Sequence, residues 1–129
     1  TEIYTLPLHD ALPICWDLDF YMACVYNLSR TKEEASKLAG RAISDELFWD
    51  PDREEMLRRV RQTRKQCFIF KVYGASRKCD SEGQMRAAVG LARGYAKPSD
   101  CFVVGMYPKR TEQVAQNCRI FRDVLAANA

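Results

Sequence analysis

Histidine is nearly absent from this chain. Its 129 residues include one, His9, and residues 15–129 contain none. Ser–His and Cys–His nucleophile pairs and imidazole metal ligands are therefore excluded from that stretch. The six cysteines, Cys15, Cys24, Cys67, Cys79, Cys101 and Cys118, form no C-x-x-C pair. With no histidine beside them, no zinc site is expected. A G-x-G-x-x-G dinucleotide fingerprint is also missing. No apolar run reaches the roughly 20 residues of a membrane-spanning helix. There is no internal repeat, low-complexity stretch or linker. Charge of one sign is scarce too: the net charge is +3, and acids and bases alternate, as in Arg53-Glu54-Glu55. Such mixing describes solvated helix faces rather than a nucleic-acid-binding surface.

What is present has a clear pattern. Three short runs rich in aromatic and β-branched residues stand out: 19–27 (DFYMACVYN), 67–73 (CFIFKVY) and 101–107 (CFVVGMY). They are of strand length and apolar on both faces, as parallel strands covered by helices are. Helical patterns lie between and after them. Thr31 and Glu34 make a capping box ahead of Ala35, Leu38, Ala39, Ala42 and Ile43. Asp50 and Pro51 open a second helix whose apolar face is Met56, Leu57 and Val60. Ser81 and Gln84 form another capping box before Met85, Ala88, Val89, Ala92 and Tyr95. Thr111 can cap the last helix, with Val114, Cys118, Phe121 and Leu125 as its stripe.

The order predicts an α/β fold of parallel βα units joined by right-handed crossovers. The helix near 51–65 is assigned to the layer packed on the sheet. The helix near 31–43 becomes an insertion above the first strand's C-terminal end, with Phe48 and Trp49 as its anchors. Cys24, Cys67, Cys101 and Cys118 fall within apolar patterns and read as small buried hydrophobes of a reducing compartment, hence a cytoplasmic location. Cys79 lies beside Arg77 and Lys78, which favour a thiolate, although an ordinary loop cysteine is the plainer reading.

Two resemblances add to this. Residues 2–14, EIYTLPLHDALPI, match at every position but Pro7 one reading frame of a common short-read sequencing adapter. The match implies that 1–14 is a non-native segment and that native sequence starts near Cys15. His9 then loses its value as a catalytic candidate. Residues 1–14 hold Glu2 and Asp10 and no Lys or Arg, so 15–129 carry +5. The second resemblance rests on KQCFIFKVYGASR and KPSDCFVVGMYPKRTEQVAQN. An apolar strand ending in V-x-G, followed by a helix opening E-Q-V-x-x-N, is similar to the end of aldo/keto-reductase-like barrels. It looks closest to a bacterial group of such barrel proteins. The resemblance spans residues 17–126 and implies that 15–129 is the C-terminal portion, about three strands, of a (β/α)₈ TIM barrel. Strands seven and eight would be 67–73 and 101–107, with the N-terminal half of the barrel missing. A whole barrel takes about 250 residues, which agrees.

Barrel enzymes carry their sites at the C-terminal ends of the strands, often with phosphate at the last two loops. Those ends offer Asn27, Ser29 and Arg30, then Tyr73, Gly74, Ser76, Arg77 and Lys78, then Gly105, Met106, Tyr107, Lys109 and Arg110. No acid lies among them, so the cluster suits an anionic small-molecule substrate. Gly74 and Gly105 would let backbone approach a ligand, and the last helix would add its N–H groups. Solvated loop cations are the plain alternative. Lys71 is the sharpest residue because it interrupts an otherwise uncharged strand. By alternation Cys67, Ile69 and Lys71 share one face and Phe68, Phe70 and Val72 the other. With the large apolar set facing the helices, Lys71 would point into the barrel. There it could serve as an anion anchor, as a structural ion-pair partner or as a Schiff-base amine.

The leading expectation is thus a fragment of a TIM-barrel enzyme acting on a small polar or phosphorylated metabolite, with neither nucleic acid nor membrane as partner. The resemblance implies an aldo/keto-reductase-like oxidoreductase that uses NADPH. That family's catalytic residues lie on earlier strands, so the fragment alone would be inactive. A Schiff-base aldolase or lyase using Lys71 is one alternative, and a small non-enzymatic α/β binding module is another.

Overall fold

The computed structural model describes residues 18–107, 109 and 111–127. The adapter-like segment, Cys15 and Arg110 lie outside them. Seven elements follow in order: β1 (Phe20–Cys24), α1 (Lys32–Ala39), α2 (Pro51–Gln62), β2 (Gln66–Phe70), α3 (Glu82–Tyr95), β3 (Cys101–Val103) and α4 (Gln113–Ala126). The strands form one parallel sheet in consecutive order, with Met22 opposite Phe68 and Phe70 opposite Val103. The protein is mixed α/β, and none of its described helices is long and apolar enough to cross a membrane.

Packing explains the register. Tyr21, Ala23, Cys67 and Ile69 are buried against Met56, Leu57 and Val60 of α2 and Met85, Ala88, Val89 and Ala92 of α3. Phe102 of β3 lies on this same side, 5.4 Å from the Phe121 ring of α4. The expected face assignment is therefore reversed. The helices cover the face of Tyr21, Ala23, Cys67 and Ile69, where Ala23 and Cys67 leave room for close approach. Val72, beyond the end of β2, is buried in the core, while Phe68 and Phe70 face the other way. Phe20 packs edge-on against Phe68 at 5.0 Å there, yet Phe20, Met22 and Val103 stay 48%, 54% and 43% exposed.

Local chemistry sets the ends of the helices. Thr31 and Glu34 form the full capping box of α1, and Gly40 ends that helix at φ 66. The helix is shorter than predicted, and only Ala35 of its stripe is buried. Pro51 opens α2, but the Asp50 carboxylate caps nothing. It accepts instead from Lys78 Nζ at 2.5 Å and from the Tyr26 hydroxyl at 3.4 Å. Ser81 Oγ accepts from the Gln84 N–H at 3.2 Å. Thr111 does not cap α4, which begins at Gln113 without a side-chain cap. The inner face of α4 is also rotated from the expected stripe. Asn117 and Ile120 are buried and Phe121 and Val124 half-buried, while Val114, Cys118 and Leu125 are exposed. The cause is a buried hydrogen bond from the Tyr73 hydroxyl to Asn117 Oδ1 at 2.7 Å, which draws that side of the helix inward. Among the cysteines, Cys67 is buried and Cys24 half-buried. Cys101 sits on the uncovered face and Cys118 on the outer side of α4, so both are exposed.

Candidate functional site

β2 stops at Phe70, and Lys71 turns out of the strand at φ 57. Gly74, Ala75 and Ser76 follow at φ 57, 51 and 73. Left-handed backbone costs a non-glycine residue about 1 kcal/mol. Three such residues in one loop are held by tight hydrogen bonds. Gly74 N–H donates to the Lys71 carbonyl at 2.8 Å, Cys79 N–H to Ser76 at 3.0 Å and Lys78 N–H to Tyr73 at 3.1 Å. Gly74 is required for space as well, since a Cβ there would lie 2.8 Å from the Tyr26 hydroxyl oxygen.

This coiled loop, the segment after β3 and the starts of α3 and α4 enclose a cleft of about 880 Å³. The cleft lies at the C-terminal ends of β2 and β3. Of the sequence-predicted residues, Lys71, Ser76, Gly105 and Tyr107 line it. Tyr73 and Met106, also strand-end residues in the sequence, line it as well, together with Cys79, and so do Asp80, Glu82 and Asn117, which the sequence did not single out. Tyr107 N–H donates to Gln113 Oε1 at 2.6 Å, and Asn117 Nδ2 donates to the Gln113 carbonyl at 2.8 Å, which fixes the α4 wall. Burial pushes the Tyr73 phenol up to about 12, so it remains a neutral donor. The Cys79 thiol is also pushed up, first by desolvation and then by the charge of Asp80. The expected thiolate-favouring role of Arg77 and Lys78 is overturned, because both cations are engaged elsewhere. Arg77 stacks over the Phe48 ring at 4.0 Å and Lys78 binds Asp50.

The remaining predicted residues among those described are not in this cleft. Asn27 and Arg30 line a separate concavity with Ser29, Glu34, Lys37 and Leu38. Arg30 grips Asp52 with both terminal nitrogens, at 2.6 and 2.5 Å, and this hydrogen bonding raises its pKa further. The same carboxylate accepts from the Asn27 N–H at 3.2 Å, and Asn27 Oδ1 accepts from Ser29. Those groups hold the exit of β1 to the first turn of α2. Gly74 and Arg77 back the loop without lining the cleft, and the Lys109 amine lies 5.8 Å from the Tyr107 ring centroid. Lys71 does not continue the strand. Its amine pairs with Glu46 at 3.0 Å and lies 5.1 Å from the Phe48 ring.

The absence of acids in the strand-end segments is thus offset from elsewhere. Asp52 meets Arg30, Asp50 meets Lys78 and Glu46 meets Lys71. These partners lie 22 to 28 residues away in sequence, with no periodic signal linking them. Phe48 does anchor the insertion, as its aromatic character suggested. Compared with known proteins, the chain matches no family model, no curated protein and no solved structure.

Proposed function

We propose that this chain is the C-terminal portion of a (β/α)₈ barrel enzyme that binds a small polar or phosphorylated metabolite in the cleft above β2 and β3. The observation that carries the reading is the sheet itself: consecutive parallel strands, with the helices packed on one side and a large apolar face left on the other. A doubly wound sheet reverses its order and carries helices on both sides. A barrel wall keeps its order, carries helices outside and fills its interior with layers of bulky side chains. Phe20, Met22, Phe68, Phe70 and Val103 suit such an interior, and further strands would pair with the free edges of β1 and β3. The cleft opens at the strand ends where barrel enzymes carry their chemistry. By its resemblance the parent enzyme is an oxidoreductase of the aldo/keto-reductase kind using NADPH, with the catalytic set on strands before β1.

The test is an NMR titration of the isotope-labelled chain with a sugar phosphate, the same sugar without phosphate, and NADPH. Shifts of the Ser76, Gly105 and Tyr107 amides are expected, larger with the phosphorylated compounds. If none of the three compounds moves them, the cleft is not a ligand site and the reading fails. The Schiff-base alternative is separated by borohydride, which would trap an aldehyde on Lys71 only if that amine leaves Glu46.

A further inference from the structure

Residues 28–50 leave the sheet after β1 and return at α2. Only Ala35 of this excursion joins the buried residues. It is fastened to the β2–α3 loop by side chains of its last few residues. Glu46 pairs with Lys71 at 3.0 Å, Phe48 lies under Arg77 at 4.0 Å, and Asp50 pairs with Lys78 at 2.5 Å. Lys71 belongs to both settings, because it also lines the cleft. Continued alternation along β2 would have sent it to the helix side with Ile69. The left-handed φ of 57 breaks that alternation and brings its amine to the strap and the cleft.

We infer that Glu46 is a built-in occupant of an oxyanion site at Lys71, and that the phosphate or carboxylate of a ligand entering the cleft displaces it and frees the strap. This deepens the proposed function and rests on its reading of the cleft. Glu46 is more than half exposed, so its pairing is worth little and can be exchanged. An anion inside the cleft would keep the charge of Lys71 and gain the hydroxyls of Ser76, Ser81 and Thr111, which line the same space. Of the carboxylates in the cleft wall, Glu82 is neutralised by Arg86 at 2.9 Å and Arg119 at 2.7 Å. Asp80 has no ion pair among the described residues. The anionic end of a ligand therefore belongs at Lys71, away from Asp80.

The experiment titrates inorganic phosphate, and separately acetate, into the wild-type chain, Glu46→Gln and Lys71→Met. It follows the Ser76 and Gly105 amide signals and the hydrogen exchange of residues 42–48. Glu46→Gln should bind phosphate about two- to fivefold more tightly, the range an exposed ion pair commands. Lys71→Met should lose binding, and phosphate should speed exchange in the strap of the wild-type chain. Binding of both anions assigns the site to oxyanions in general, and binding of phosphate alone assigns it to phosphorylated ligands. Cleft signals that move with equal affinity in wild type and Glu46→Gln overturn the displacement while leaving the cleft reading intact. No movement with either anion in wild type and Glu46→Gln removes both.

Discussion

The two ends of β2 are built on opposite principles. Where the strands begin, one buried carboxylate closes the structure. Asp100, its side chain 0% exposed, accepts from the Cys67 N–H at 2.8 Å, the Lys97 N–H at 2.8 Å and Lys97 Nζ at 2.9 Å. Lys97 Nζ donates also to the Val60 carbonyl at 2.7 Å, tying α2, β2 and the approach to β3 together. Where β2 finishes, the backbone of the loop is strained, a cleft is open, and Lys71 and Lys78 are met by the exposed carboxylates Glu46 and Asp50 of a strap. A fully satisfied polar network rigidifies. Strained backbone and exchangeable surface pairs leave an end that can respond to a ligand. The difference shows that the charges at each end cannot be judged by their number, only by how deeply their partners are buried.

The largest expected effect breaks the closed end. Asp100→Ala leaves Lys97 and the Cys67 N–H without their acceptor, and should cost about 3 kcal/mol in urea unfolding. A loss below about 1 kcal/mol would mean that this end is no more tied than the other. Next come two opposite changes in the loop. Gly74→Ala combines a left-handed φ with a 2.8 Å approach to Tyr26, and should destabilise by about 2 kcal/mol. Ser76→Gly relieves a left-handed serine and should stabilise by up to about 1 kcal/mol. If both destabilise equally, strain is not what distinguishes this loop.

The last effect is invisible at neutral pH. Burial pushes the Cys67 thiol from 9.0 up to about 11, with the charge of Lys97 pulling the other way. The folded state therefore holds this proton longer than the unfolded chain. Its stabilising contribution is complete below pH 9 and is lost as the pH rises through about 11. Tyr26 and Tyr73, both raised to about 12 by burial, extend the loss to higher pH. Cys67→Ala should flatten the lower part of that decline in unfolding curves taken across the range. An unchanged slope would show that the thiol is not desolvated in the sheet.

Much of the fold was legible because its signals are local. The three apolar runs, the Thr31–Glu34 box, Pro51 and Ser81 each mark an element through interactions a few residues long. Alternation grouped Phe68 with Phe70 and Cys67 with Ile69, but it could not say which group meets the helices. That depends on how closely α2 and α3 approach Ala23 and Cys67. The stripe of α4 failed for a related reason. A polar residue, Asn117, turned inward to meet Tyr73, and hydropathy carries no sign of a hydrogen bond 44 residues away. A cleft lies at the strand ends, where the barrel resemblance directed attention, and Ser76, Gly105 and Tyr107 line it. The electrostatics were not legible, because Glu46, Asp50 and Asp52 reach their cations only through the folded path of the strap and the start of α2.

The bond between Tyr73 and Asn117 also bears on the order of synthesis. The sheet can form once Val103 has left the ribosome. The cleft cannot, since Gln113 and Asn117 form one of its walls. A nascent chain that has released β3 but not α4 therefore lacks one wall of the cleft, and Tyr73 gains its Asn117 acceptor only when α4 follows.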